Sequence, residues 1–450
     1  MRRPYHEHYI QNPVDTLKEN GDDNTYRIMN IMPKWTHFKH IIADGSFVRD
    51  LNNKTAGTKT RKVPKLYEEY RPDSNLTAFS EENVMLQIVD DIIKKYDRLE
   101  SNSSKIPLDP EVGNLTCVPG LPEDMLCMKT PQFLPTLKSP CWYKGSTLKC
   151  LPYFHLIGVN KCATTDLYWR LQLHPQVVWR ERKELMWWSR ERYGIYRFNV
   201  QNDSDIKTFA DYLDFFDPAA QKISSNMSAK HDIIAGDATA FTFWDFIGWP
   251  KIPQNKGFHE PKYVTPHLIR HMNPNVKLIV IFRDPLERLY SHYYHRGRNI
   301  LTPEGFHNAV VEDLINLHTC IQKASLRHCL YSWELRKKVK TLYSAGMYSL
   351  HLRKWLAVFP QDRFLFLKTE EFSADMAGHL RTVFKHLGLR QLADDKMARI
   401  LKHPRGNVGP NKLKAMPMWN STRRILSRLY TPFVHELAMI LQDERFLWKY

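Results

Sequence analysis

The chain has 450 residues, with 65 lysines and arginines against 48 acidic residues and a formal net charge of +17. Its apolar share of 43% is that of a globular protein, which excludes a disordered or collagen-like chain. The charge calls for a polyanionic partner, and the basic residues are dispersed through 180–192, 283–298, 323–340 and 399–428. That dispersal suits a basic cleft in a folded domain and argues against a disordered nucleic-acid-binding tail.

In chain order, residues 1–140 read as a polar stem or extension with one amphipathic helix at about 80–99. Ser80 can cap that helix, Glu81 and Glu82 suit its dipole, and Met85, Ile88, Val89, Ile92, Ile93 and Tyr96 form an apolar stripe. The N-terminus, MRRPYHEHYIQNPVDTLKENGDD, carries two arginines but no apolar core of a signal peptide. No stretch approaches the ~20 apolar residues of a membrane span. Cys117, Cys127, Cys141 and Cys150 cluster before residue 151, and Cys320 lies nine residues before Cys329. Six of the seven cysteines are therefore expected to pair in an oxidising lumen, leaving Cys162, with the connectivity open. Asn-x-Ser/Thr sequons at Asn53, Asn75, Asn102, Asn114, Asn202, Asn226 and Asn420 point to the same compartment.

Residues 151–450 alternate strand and helix, with strands expected at 153–158, 176–180, 231–235, 277–282 and 363–367. The pattern predicts an α/β fold, a P-loop-like parallel sheet flanked by helices. Phe154–Thr165, FHLIGVNKCATT, is an apolar strand that breaks into a loop and opens a helix. Such a start is an anion cradle, because free N–H groups and the positive end of the helix dipole face the loop. Lys161 adds a charge, Thr164 and Thr165 add hydroxyls, and Gly158 lets the chain turn where a side chain would obstruct a ligand. The loop departs from G-x-x-x-x-G-K-[ST], since Cys162 follows Lys161, and this counts against a P-loop kinase.

Asn275–Arg288, NVKLIVIFRDPLER, is a second apolar run, of the type buried on both faces of a parallel sheet. It delivers Arg283 to the ligand-binding edge of the sheet, with Ser291 about two helical turns further on. Alternatively, Arg283 pairs with Asp284 or Glu287. Between these sites Ile233–Thr239 ends a strand in polar groups, so Asp237 is expected to line the ligand side.

Lys161-Cys-Ala-Thr-Thr and Arg283-Asp-Pro-Leu-Glu-Arg-Leu-Tyr-Ser291 resemble the two cofactor signatures of the carbohydrate sulfotransferases. Gly346-Met-Tyr348, Leu352, Trp355 and Phe359 resemble a later segment of that family, and the likeness runs from about 150 to 450. The wording of the first signature is similar to that of enzymes that sulfate the 6-hydroxyl of N-acetylgalactosamine 4-sulfate. The resemblance implies 3′-phosphoadenosine 5′-phosphosulfate as sulfate donor. Gly158, Lys161, Cys162, Ala163, Thr164 and Thr165 would hold its 5′ end, and Arg283 and Ser291 its 3′-phosphate. Arg405 and Gly406, in a basic loop, would cover that phosphate.

Lys183-Glu-Leu-Met-Trp187-Trp188 matches the Lys, Glu and aromatic positions of the family's acceptor-activating segment but lacks its Pro-His. Glu184 is then the candidate general base and Lys161 the electrostatic clamp. Lys183, Trp187, Trp188 and Asp237 are candidate acceptor contacts, although paired tryptophans are more often core. Glu184 alternatively forms an ion pair with Arg182 or Lys183. No metal is demanded, since no cluster shows ligand spacing. An acidic glycosaminoglycan is the expected partner and no nucleic acid is expected. The Golgi lumen is the expected location, reached through an anchor that this sequence does not contain. Alanine stands at 163 where the family usually has glycine, which matters if the backbone there needs a positive φ. A non-catalytic polyanion-binding relative is the alternative.

Overall fold

The computed structural model describes residues 81–97, 105–110, 115–118, 124–178, 182–196, 199–200, 206–225, 231–296, 301–406 and 415–449. The chain divides into two compact units, Met1–Ser80 and Glu81–Tyr450, and the first lies outside the described residues. Of the seven sequons, only Asn420 lies inside them.

The second unit opens with the amphipathic helix, α1 (Glu81–Lys94). Met85, Ile88, Val89 and Ile92 are buried at helical spacing, and Tyr96 continues the stripe beyond the helix end. A hairpin follows, β1 (Cys141–Lys144) and β2 (Thr147–Cys150), closed by a disulfide between the facing residues Cys141 and Cys150. Cys117–Cys127 and Cys320–Cys329 also pair, and Cys162 is a buried free thiol, as the clustering suggested.

The site rests on a four-stranded parallel sheet. After β3 (Phe154–Gly158) come α2 (Thr164–Leu171), a small hairpin of β4 (Ile195–Tyr196) and β5 (Asn199–Val200), and α3 (Phe209–Asp214). Then follow β6 (Gly236–Asp237), β7 (Lys277–Phe282), α4 (Pro285–Arg296), α5 (Pro303–Ile321), α6 (Tyr348–Leu356) and β8 (Phe364–Lys368). Helices α7 (Asp394–Leu401) and α8 (Asn420–Leu441) complete the set used below. The sheet order is β6-β3-β7-β8, with His155 opposite Leu278 and Leu278 opposite Phe364. Leu278–Phe282 are all buried, because helices cover both faces of a parallel sheet and leave no polar side.

Two expected strands differ among the described residues. Around 176–180 the described backbone makes one isolated parallel bridge, Val177 to Ile234, and the strand expected at 231–235 is displaced to Gly236–Asp237. The hydrogen bonds Ile234 N–Gln176 O and Val178 N–Ile234 O form this edge, and pairing goes no further there among the described residues. Apolar content alone does not set ladder length.

Helix α1 docks on α5 and α8. Its acidic face meets α8 through the ion pairs Glu82–Arg424 and Asp90–Arg428. The Tyr96 hydroxyl bonds to Ser349 at 2.8 Å and donates to the buried carboxylate of Glu436. Among the described residues no helix is long and apolar enough to cross a membrane.

Candidate active site

The loop between β3 and α2 is held from both ends. A Cβ on Gly158 would come within 2.6 Å of the Phe243 Cβ, so close packing against Phe243 requires this glycine. Its role is therefore in the wall of the site, not in clearing space for a ligand. Beyond it, Lys161 and Ala163 take positive φ values of 70° and 62°. Ala163 is the N-cap of α2 and supplies no side-chain hydrogen bond, so the helix presents its first turn without a side-chain cap. That is the electropositive helix end an anion needs.

Cys162 turns inward. Its N–H donates to Val159 O at 3.1 Å, its sulfur lies 3.9 Å from the Tyr348 hydroxyl, and burial pushes the thiol up to about 12. The side chain packs the loop onto α6 and does not offer itself to a ligand. Thr164 and half-buried Thr165 open α2. On the next residue, Asp166 Oδ2 accepts from Arg170 Nε at 3.2 Å, and Arg170 donates to the carbonyls of Ile400, Leu401 and His403. This tie brings the 403–406 loop against α2. A Cβ on Gly406 would lie 3.0 Å from the Trp169 ring and 3.3 Å from the Thr165 methyl, and Arg405 beside it is exposed.

The second signature arrives from β7. Arg283 Nη1 donates to Lys161 O at 3.4 Å, and the Tyr348 hydroxyl donates to Arg283 O at 2.8 Å. The carboxylates that offered an alternative partner are otherwise engaged. Asp284 Oδ1 caps α4 by accepting from Leu286 N at 2.8 Å, and Glu287 pairs with Arg423 at 2.9 Å. Burial raises the Asp284 carboxyl above its ordinary value, and those backbone donors oppose the rise. Ser291 lies half-buried on α4.

Lys183 and Glu184 close the site. Lys183 Nζ donates to Thr164 Oγ1 at 3.4 Å and forms an ion pair with Glu184, whose other oxygen accepts from Ala240 N at 2.9 Å. Arg182, the other candidate partner, binds Glu191 at 3.1 Å instead. Glu184 and Met186 have φ values of 62° and 58°. Five non-glycine residues among those described have positive φ, and Lys161, Ala163, Glu184 and Met186 are four of them. Strained backbone of this kind concentrates where function imposes a geometry.

The tryptophans and Asp237 lie deeper than expected. Trp187 and Trp188 are 1% and 2% exposed, and Trp187 stacks on Tyr212 with centroids 4.8 Å apart, so both are core and neither is a platform for a sugar. Asp237 is 2% exposed and accepts from the hydroxyls of Thr239 at 2.6 Å and Tyr212 at 3.0 Å. Its carboxylate does not face an acceptor.

Sequence reasoning missed the Lys183–Thr164 contact, the Arg170 tie and the Ala240 N–H. Only the second left a legible trace, the i,i+4 pair of Asp166 and Arg170.

A family model described as "Sulfotransferase domain" matches residues 212–424. Carbohydrate sulfotransferase 15 of Mus musculus is 32% identical over 433 residues, covering 84% of this chain and 76% of the relative. The chain belongs to the carbohydrate sulfotransferase family. A second carbohydrate sulfotransferase, number 15 of Homo sapiens, is 34% identical over 371 residues, covering 71% of this chain and 66% of that protein. Among solved structures, a sulfotransferase from Alicyclobacillus acidocaldarius gives a TM-score of 0.41 at 18% identity, covering 65% of this chain and 96% of that one. In this carbohydrate sulfotransferase the Lys161 and Arg283 segments lie at one edge of the sheet, after the C-terminal ends of β3 and β7.

Proposed function

We propose that this enzyme transfers a sulfuryl group from 3′-phosphoadenosine 5′-phosphosulfate to a glycosaminoglycan. The acceptor we infer is the 6-hydroxyl of N-acetylgalactosamine 4-sulfate in chondroitin or dermatan sulfate. The observation that carries the reading is the Arg283–Lys161 contact, in which the Arg283 guanidinium donates to the Lys161 main-chain carbonyl and so brings a second cationic residue to the loop that opens a helix without a side-chain cap. A donor with anionic groups at both ends fits that arrangement. Lys161 and the first turn of α2, with Thr164 and Thr165, would hold its 5′ end, and Arg283 and Ser291 its 3′-phosphate. Gly406 adjoins Thr165, and the loop that it shares with Arg405 would cover the donor. The donor supplies an activated sulfuryl group.

The protein supplies charge and a base. Lys161 offers positive charge where negative charge develops on the departing side. Glu184 accepts the proton of the sugar hydroxyl, which is a poor nucleophile until that proton leaves. Its hydrogen bonds to Lys183 and Ala240 N hold it close to Thr164 and so to the donor. The three disulfides and the net charge of +17 support work on an acidic polysaccharide in the oxidising Golgi lumen.

The test is sulfate transfer across a panel of chondroitin, 4-sulfated chondroitin, dermatan and heparan acceptors, with product disaccharides identified. We expect 6-sulfation of 4-sulfated N-acetylgalactosamine. Lys161→Ala should abolish turnover. Glu184→Gln should lose about 100-fold or more in turnover while keeping donor affinity. Donor binding without transfer to any acceptor would favour a non-catalytic polyanion-binding protein.

A further inference from the structure

Asp237 is a buried carboxylate that the reading above leaves without work. Both its oxygens are engaged: Oδ1 accepts from Thr239 Oγ1 at 2.6 Å and Oδ2 from Tyr212 Oη at 3.0 Å, with His155 Nδ1 3.7 Å away. Burying a charge is costly unless its partners compensate, and three are recruited here from β3, α3 and the segment after β6. Burial pulls the His155 imidazole below its ordinary value, against the pull of Asp237.

The consequence lies two residues downstream. The Thr239 hydroxyl folds the chain back on Asp237, and Thr242 N donates to Thr239 O at 3.0 Å, which closes a turn. Phe243 N then donates to Ile157 O at 2.9 Å, tying the far side of that turn to β3. Between these anchors Ala240 N points at Glu184 Oε2 at 2.9 Å. The other contact of Glu184 is the ammonium of Lys183, on a flexible four-carbon stem that also reaches Thr164. The backbone N–H is therefore the rigid one.

We propose that Asp237 is a positioning residue for Glu184, acting through the Thr239 hydroxyl and the Ala240 N–H. The inference rests on Glu184 being the general base. It reassigns Asp237 from an acceptor contact to a support beneath the base, where small displacements have large effects on rate.

Thr239→Val removes the hydroxyl at nearly constant shape, and Thr239→Ser restores it. We expect Thr239→Val to lower kcat about tenfold or more while leaving donor KM near wild type, with a lowered melting temperature because Asp237 Oδ1 loses its donor. Thr239→Ser should recover most of the loss, and Asp237→Asn should change kcat in the same direction as Thr239→Val. In a double-mutant cycle Thr239→Val should add nothing to Glu184→Gln, since both act on one group. Wild-type kcat in Thr239→Val, or a loss fully additive with Glu184→Gln, would overturn the positioning role alone. Wild-type turnover by Glu184→Gln would overturn the general-base reading and the positioning role together.

Discussion

Ala163 holds a φ of 62° at the mouth of the donor loop. The left-handed region costs an L-residue about 1–2 kcal/mol, and glycine avoids that cost. The greater freedom of glycine in the unfolded chain offsets about 0.4–1 kcal/mol. Ala163→Gly should therefore raise stability by up to about 1.5 kcal/mol, measured by denaturant titration, with activity kept or improved. A clear loss of stability would mean that the methyl group makes a contact worth more than the strain. That alanine departs from the family signature is visible in the sequence, but the sign of φ is not, because the torsion is imposed by β3 behind and α2 ahead. Lys161 and Arg283 were legible as separate cations at two strand ends. Their contact depends on β3 and β7 being neighbours. Glu184 drew attention through its motif, yet its second anchor is a main-chain N–H, which carries no sequence mark.

At the scale of elements, the start of α1 was readable to within a residue because its stripe has helical period and acidic residues open it, although the helix ends at Lys94, short of the expected 99. Its partners were not readable. The helix was expected inside a stem ending near 140, whereas it packs within the unit that begins at Glu81. Ile92 is fully buried in the contact of α1 with α5 and α8. Ile92→Ala should cost about 2–5 kcal/mol in denaturant unfolding, from lost transfer energy and a residual cavity. Arg424→Ala, which breaks an exposed ion pair, should cost under about 1 kcal/mol. Equal effects would mean that charge, not burial, holds the helix. The run at 176–180 gives the opposite lesson. Val177 and Val178 are buried although the described residues there form one bridge and no longer ladder, because burial and ladder formation are separate demands.

Two properties belong to the whole molecule. The first is the charge of +17, which attracts an acidic polymer over distances that salt screens. Acceptor KM should rise several-fold between low and physiological salt while kcat changes little. A KM indifferent to salt would remove the electrostatic argument. The second concerns stability against pH. Asp313 on α5 is fully buried, and burial pushes its carboxyl up to about 7 although Lys340 N and the Thr341 N–H and hydroxyl all donate to it. Unfolding returns it to the ordinary carboxylate range near 4. The folded form then holds the proton more tightly, so this group's contribution is full below about pH 4. It is lost as pH rises to about 7. Unfolding titrations from pH 4 to 8 should show that decline in the wild type, and Asp313→Asn should remove this component of the slope. An unchanged slope in the variant would assign the decline elsewhere.

By itself the sequence determined what local chemistry can express. That includes the amphipathic period of α1, the continuous apolar runs of β3 and β7, the cations placed where those runs end, and the six cysteines available for pairing. Each is a property of residues close together in the chain, and the parallel α/β class follows from their order. Only the tertiary structure decided which candidates meet. It carried Lys183 to Thr164, Arg283 to Lys161 and Ala240 N to Glu184, and it withdrew Trp187, Trp188 and Asp237 into the interior. The reason is physical: strand adjacency, backbone torsion and burial arise from the packing of segments distant in sequence, so no single segment records them.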